Sequence, residues 1–366
     1  MKGRLRALAL VFAGLVGGCG SLYQGPASDH FDGRVFFNPG VQKSSTPIGY
    51  LWRRLTDPPA AWPESVPLPA DVPLPVQRVH DGSARITYVG HATLLIQVAG
   101  LNILTDPLWA ERASPLSWIG PRRVTPPAWP LQALPPIDLV LISHDHHDHL
   151  DPATLAALAA RDRPRVIVPL GLQRRVAEAM PGSVVSEHDW GARVALPAAS
   201  GSASAGPSAG SSPGAVIHVE PMRHGSGRGP FDQMQTLWAA YVIEVGGFKI
   251  WHVGDSGYGD FARATAARHG ALDLAILPIG AWEPVDFMAD SHMSPAQAVQ
   301  LLQDSGAARG LAHHFDTFAL GFEAHGAAPT ALAAARQAAG MEAERFVVPV
   351  PGQVLTLAQP RAPRAQ

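Results

Sequence analysis

The chain has 366 residues, with 28 Lys and Arg against 30 Asp and Glu and a formal net charge of −2. A nucleic-acid-binding domain usually needs clustered basic residues and an excess of positive charge, so nucleic acid is set aside as a partner. The length suits one large α/β domain with a lead segment, and the single cysteine, Cys19, excludes any internal disulfide.

Lys2, Arg4 and Arg6 precede an apolar stretch from Ala7 to Val16, which runs into Gly17-Gly18-Cys19. A basic start and a short apolar run mark an export signal, and the run is too short to span a bilayer comfortably. Small residues ahead of a cysteine resemble the bacterial lipobox, which predicts a signal over 1–18 and lipidation of Cys19 as a membrane anchor. Lipidation would also explain why one thiol survives in an oxidising compartment. Gly20 follows, not Asp, so in a host with two membranes the resemblance to lipoproteins implies the periplasmic side of the outer one. An ordinary signal with an incidental cysteine is the alternative.

Residues 19–83 are rich in proline, including Pro58, Pro59, Pro63, Pro67, Pro69, Pro73 and Pro75, and predict an extended arm with little regular structure. Trp52 and Trp62 within it are expected to pack on the main body, because Trp is mostly buried. The folded domain is expected over 84–360. It opens with strands Arg85 to Val89, Thr93 to Val98 and Leu101 to Thr105, the last two joined by Ala99-Gly100. The apolar run Ile137 to Ser143, bounded by Pro135-Pro136 and Asp151-Pro152, predicts a buried strand. Asp151-Pro152 then starts a helix as N-cap and first helical position. Arg165 to Pro169 is a strand, Leu172 to Met180 a helix, and Leu237 to Val245 pairs with Phe248 to Val253 across Gly246-Gly247. Ser294-Pro295 caps a further helix that stops at Gly306. Residues 198–214, almost all Ala, Ser, Gly and Pro, bury too little apolar surface to offset their ordering entropy and predict a disordered loop.

The chemistry concentrates in His144-Asp145-His146-His147-Asp148-His149, at the end of the expected strand 137–143. Open α/β sheets bind ligands in the crevice outside the carboxyl ends of their strands. Neutral imidazoles and carboxylates suit zinc, iron or manganese. Three more apolar runs each end in a metal-compatible side chain: His224 after Val216 to Met222, Asp255 after Val253-Gly254, and His314 after Gly310-Leu311-Ala312. One sheet edge that gathers ligands would produce that recurrence. His91 and Asp106 read as support for the ligands, and His313 as structural, since alternation along a strand turns it away from His314.

These residues resemble the metallo-β-lactamase superfamily, through His144-x-His146-x-Asp148-His149 followed by His224, Asp255 and His314. Gly90-His91-Ala92-Thr93, Leu104-Thr105-Asp106-Pro107, Trp118-Ile119-Gly120-Pro121, Gly254-Asp255-Ser256-Gly257-Tyr258 and Thr317-Phe318-Ala319-Leu320 are similar, more narrowly, to the N-acyl-phosphatidylethanolamine-hydrolysing phospholipase D branch. The resemblance covers about residues 84 to 357. It implies a four-layer αββα sandwich carrying two divalent metal ions, zinc the favoured one. His144, His146 and His224 would hold the first metal, Asp148, His149 and His314 the second, with Asp255 bridging. The implied activity is phospholipase D-type hydrolysis of a phospholipid or another phosphodiester. Asp148 and Asp255 would orient the attacking water, and His292 would act either as leaving-group acid or as an orienting neighbour. Gly225 stands where the branch usually carries Trp, and His147 where an aromatic is common, which puts head-group and acyl specificity in question. A lactone or β-lactam hydrolase of the same fold, or a surface lipoprotein that binds metal without turnover, are the alternatives, because a metal site alone does not choose among ester types.

Overall fold

The computed structural model describes residues 22–41, 47–57, 59–196 and 214–358. The expected signal, Cys19 and, Gly214 apart, the expected loop 198–214 lie outside the described residues.

Two sheets form the body. The first joins β1 (Ala84–Gly90), β2 (Thr93–Val98), β3 (Leu101–Thr105), β4 (Leu139–Leu141), β5 (Arg165–Pro169) and β6 (Val185–His188) to a last strand, β14 (Val354–Leu357), in the order β14-β1-β2-β3-β4-β5-β6. The second takes β7 (Arg193–Ala195), β8 (Val216–Glu220), β9 (Ala240–Val245), β10 (Phe248–His252), β11 (Leu274–Pro278), β12 (Arg309–His313) and β13 (Phe346–Val347), in the order β13-β12-β11-β10-β9-β8-β7. Each sheet has antiparallel ladders on one side, β14 to β3 and β7 to β10. Parallel ladders follow on the other, β3 to β6 and β10 to β13.

The two-residue period of a strand sorts side chains into three apolar layers. Leu94, Ile96, Leu139 and Leu141 of the first sheet meet Ile217, Tyr241, Ile243 and Ile276 of the second between the sheets. Leu95, Val140 and Ile142 point the other way and pack with Leu155 and Leu158 of α2 (Pro152–Arg161) and Val176 of α3 (Gln173–Ala179). On the opposite outer face Val242, Trp251, Ala275 and Leu277 meet Leu301 and Leu302 of α6 (Pro295–Ser305) and Leu332 of α7 (Ala327–Ala338). Helix, sheet, sheet, helix is the expected αββα order. α4 (Phe261–His269) and the short α5 (Val285–Met288) complete this half.

The expected helix ends form as their residues dictate. Asp151 accepts from the Ala153 amide with Pro at the first helical position, while Ser294 and Gln297 make a reciprocal capping box and Gly306 closes α6 in the left-handed region. Two strands are shorter than their apolar runs. β4 stops at Leu141 because the Ser143 amide turns to the Asp106 carboxylate, and β9 starts at Ala240 because the Leu237 and Ala239 amides bond the carbonyls of Leu170 and Ser143.

The proline-rich segment carries one helix where little regular structure is expected, α1 (Pro47–Thr56). Trp62 packs as expected and donates Nε1–H to the Glu323 carbonyl at 2.9 Å, but Trp52 is 66% exposed, contrary to expectation. A solvent-facing position on a short peripheral helix gives its ring nothing to pack on. Phe31 and Phe36, ring centroids 4.5 Å apart, are buried in the same apolar layer as α6 and α7. Among the described residues no helix is long and apolar enough to cross a membrane.

Candidate metal centre

The carboxyl ends of four strands open onto one place. β4 leads into His144 to His149, the segment after β8 carries His224, β10 leads to Asp255, and β12 to His314. The turns there are tight. His91, Asp106 and His314 have φ of 56°, 36° and 58°, left-handed values that cost a residue with a side chain and tend to persist at functional sites. Gly254, at φ 66°, admits nothing larger, because a Cβ there would meet Cβ of Ser143 at 2.8 Å.

Two groups of ligand-type atoms result. In the first, His146 Nδ1 lies 2.8 Å from His144 Nε2 and 3.1 Å from His224 Nε2. In the second, Asp148 Oδ2 lies 3.1 Å from His314 Nε2, 3.2 Å from His91 Nε2 and 3.5 Å from His149 Nε2. Asp255 stands between them, its Oδ2 at 2.8 Å from His314 Nε2 and 3.1 Å from His149 Nε2, and it also groups with His144 and with His224. All seven expected ligands are thus brought together. His292 joins the rim, with Nδ1 3.9 Å from Asp255 Oδ2.

Other residues fix which way the rings face. Asp106 takes the Ser143 amide and hydroxyl at 2.7 Å each and the His149 Nδ1–H at 2.9 Å, leaving His149 Nε2 for the centre. His224 donates Nδ1–H to the Ser291 carbonyl at 2.8 Å, which frees its Nε2 in the same way.

A family model described as the beta-lactamase superfamily domain matches residues 101–315. The chain belongs to the metallo-β-lactamase superfamily. It is 35% identical over 291 residues to an uncharacterised protein of Mycobacterium tuberculosis, covering 78% of this chain and 72% of that one. It is 31% identical over 242 residues to N-acyl-phosphatidylethanolamine-hydrolyzing phospholipase D 1 of Caenorhabditis elegans, covering 64% of each. Among solved structures, isothiocyanate hydrolase from Delia radicum gut bacteria superposes with a TM-score of 0.57 at 16% identity, covering 75% of this chain and 99% of the other, a likeness of fold. Within the superfamily the chain is a metal-dependent hydrolase with phospholipase D-like relatives.

The electrostatics suit the cations that this superfamily employs. Burial opposes ionisation of Asp148 and Asp255, yet the surrounding imidazoles, His149 foremost, hold both carboxyls well below the usual carboxylate range. In return, the two carboxylates outweigh burial at His314 and hold it at about 9. Burial pushes His144 and His224 well below their ordinary value, His292 to about 4 and His91 to about 3. Asp255 Oδ1 is buried without a hydrogen-bond partner, an arrangement that a carboxylate tolerates poorly unless a cation meets it. The donor set of imidazoles and carboxylates therefore fits divalent metal.

Sequence reasoning gave His91 a supporting role, whereas its Nε2 stands among the second group's ligand atoms; its place in the tight turn after Gly90 is the one local signal. It missed Asp145, whose buried carboxylate takes the Gly227 amide at 2.7 Å and Arg175 Nη1 at 2.6 Å. Nothing local marks that clasp, since its partners lie 82 and 30 residues away. His313 is buried and its ring neighbours His252 at 5.3 Å, away from the ligand groups as the alternation rule expects.

Proposed function

We propose that the chain is a binuclear metal-dependent phosphodiesterase of phospholipase D type, acting on N-acyl-phosphatidylethanolamine-like lipids or related phosphodiesters. We further propose that it is exported and held at a membrane by lipidated Cys19. The observation that carries the catalytic reading is the position of Asp255, within 3.1 Å of His149 and His314 and grouped with both His144 and His224. One carboxylate between two sets of imidazoles suits a shared ligand. The substrate class rests on the Caenorhabditis elegans relative.

His144, His146 and His224 would hold one cation, Asp148, His149 and His314 the other, with Asp255 common to both. A cation pair supplies Lewis acidity towards a phosphoryl oxygen and makes water acidic enough to lose a proton near neutrality. With the cations bound, Asp148 and Asp255 would orient the attacking water towards phosphorus by accepting a hydrogen bond from it. His292, kept neutral at physiological pH by burial, turns a ring nitrogen without a protein partner towards the centre, where its N–H can donate to the departing oxygen.

The experiment is a substrate panel on protein of measured metal content, with bis(4-nitrophenyl) phosphate and an N-acyl-phosphatidylethanolamine beside an acyl-homoserine lactone and a β-lactam. Phosphodiester turnover with two metal equivalents per chain is expected. Turnover confined to the lactone or the β-lactam overturns the phosphodiesterase reading, and no turnover of any of them favours metal binding alone.

A further inference from the structure

One residue from the candidate metal ligands the surface opens into a cleft of about 680 Å³, lined by His147, Arg112, Arg175 and Arg228. His147 stands between His146 and Asp148 in the chain but turns away from their cluster, its Nε2 3.0 Å from the Arg228 carbonyl. Arg228 spends its Nη1 on the carbonyls of Asp145 and Leu150, both at 2.8 Å. Arg112 gives Nε and Nη1 to the carbonyls of Ser117 and Gly120. Both guanidinium charges are thus positioned by neutral carbonyls and not by acids. Arg175 differs, being paired with Asp145 and Asp232.

Two acids also line the cleft. Asp151 is committed to capping α2, through the Ala153 amide and the Thr154 hydroxyl, and Glu111 is solvent-exposed. Burial and the neighbouring Arg175 lower the Arg228 guanidinium from its ordinary value, while Asp145, Asp232 and Asp151 offset part of that shift.

We propose that this cleft is an oxyanion subsite, in which Arg112 and Arg228 receive a phosphate-class group, either a second anionic group of the substrate or a free anion. The proposal deepens the phosphodiesterase reading and rests on it for the substrate's identity. Guanidinium forks match the geometry of phosphate oxygens, and cations already held in place by carbonyls lose little entropy on binding.

Two measurements on the metal-loaded protein test it. The first is thermal unfolding in sodium sulfate against sodium chloride of equal ionic strength. Wild type is expected to gain melting temperature in sulfate, Arg112→Ala to lose at least half of that gain, and Asp255→Asn to keep it. An undiminished gain in Arg112→Ala, or its loss in Asp255→Asn alone, overturns the proposal, the latter because the metal centre would then hold the anion. If Arg112→Ala does not fold, Arg112→Gln keeps most of the aliphatic stem and a polar end while removing the charge.

The second is the KM of two soluble diesters, bis(glycerophospho)glycerol with two phosphates and glycerophosphocholine with one. If the substrate carries the anion, Arg112→Ala raises KM about tenfold for the first alone, the loss of one charge-assisted hydrogen bond, with kcat unchanged. Equal KM effects together with a lost sulfate gain assign the cleft to a free oxyanion. Hydrolysis of neither diester counts against the phosphodiesterase reading, while the sulfate measurement still decides the cleft.

Discussion

Asp106 touches no other candidate ligand than His149, yet it fixes that ring's tautomer and direction. Asp106→Asn replaces an acceptor oxygen with an amide and is expected to cost about 10–100-fold in metal affinity or activity, as such outer partners usually do, readable by metal titration. Asp255→Ala should abolish turnover while circular dichroism stays native, and an active variant would refute its shared-ligand role. The imidazoles make a prediction about metal removal. Although burial pulls His314 down, Asp255 and Asp148 hold it at about 9 against an ordinary 6.5. A group raised on folding contributes stability that is complete below its unfolded value and is lost as pH rises through the folded one. Protein stripped by a chelator should therefore lose melting temperature between pH 6.5 and 9, whereas metal affinity should climb over the same window as the imidazolium proton is displaced. A flat melting profile for the stripped protein would contradict this. At this scale the sequence exposed most of the site, because ligands appended to strand ends are local patterns. It concealed the partners of Asp145 and the closeness of His91, which depend on segments distant in sequence.

α6 shows how an element serves the site. His292 lies two residues before the Ser294 cap, and the Met293 amide bonds the Ser256 carbonyl, so the cap, the loop after Asp255 and the imidazole form one unit. Ser294→Ala removes the capping hydrogen bond and is expected to lower stability by about 1 kcal/mol, with a measurable fall in turnover as His292 loses its register. Denaturant unfolding and steady-state kinetics would check both; unchanged turnover would detach the cap from the site. The caps at Asp151 and Ser294 were legible because capping is a local hydrogen bond between near neighbours. The true starts and ends of β4 and β9 were not, since they were set by where the Ser143, Leu237 and Ala239 amides found acceptors across the fold.

In the whole molecule, the proline-rich lead contributes to the core. Phe31 and Phe36 are buried under the second sheet, and His30 reaches Asp189 at 2.7 Å while stacking on Trp190. Phe36→Ala should cost about 3–5 kcal/mol in chemical denaturation, the range for deleting a buried aromatic ring, and a cost near zero would show that the lead docks without stabilising the body. The sequence by itself marked most of the strands, the two capped helices and the metal-compatible side chains at strand ends, because apolar periodicity, capping residues and clustered imidazoles are written within short windows, while the αββα class was legible through the likeness to the superfamily. Only the tertiary structure decided that Asp255 stands between the two imidazole groups, that β14 closes the first sheet against β1, and that three arginines line a cleft beside His147. Those are distances between segments far apart in the chain, and packing, not local propensity, sets them.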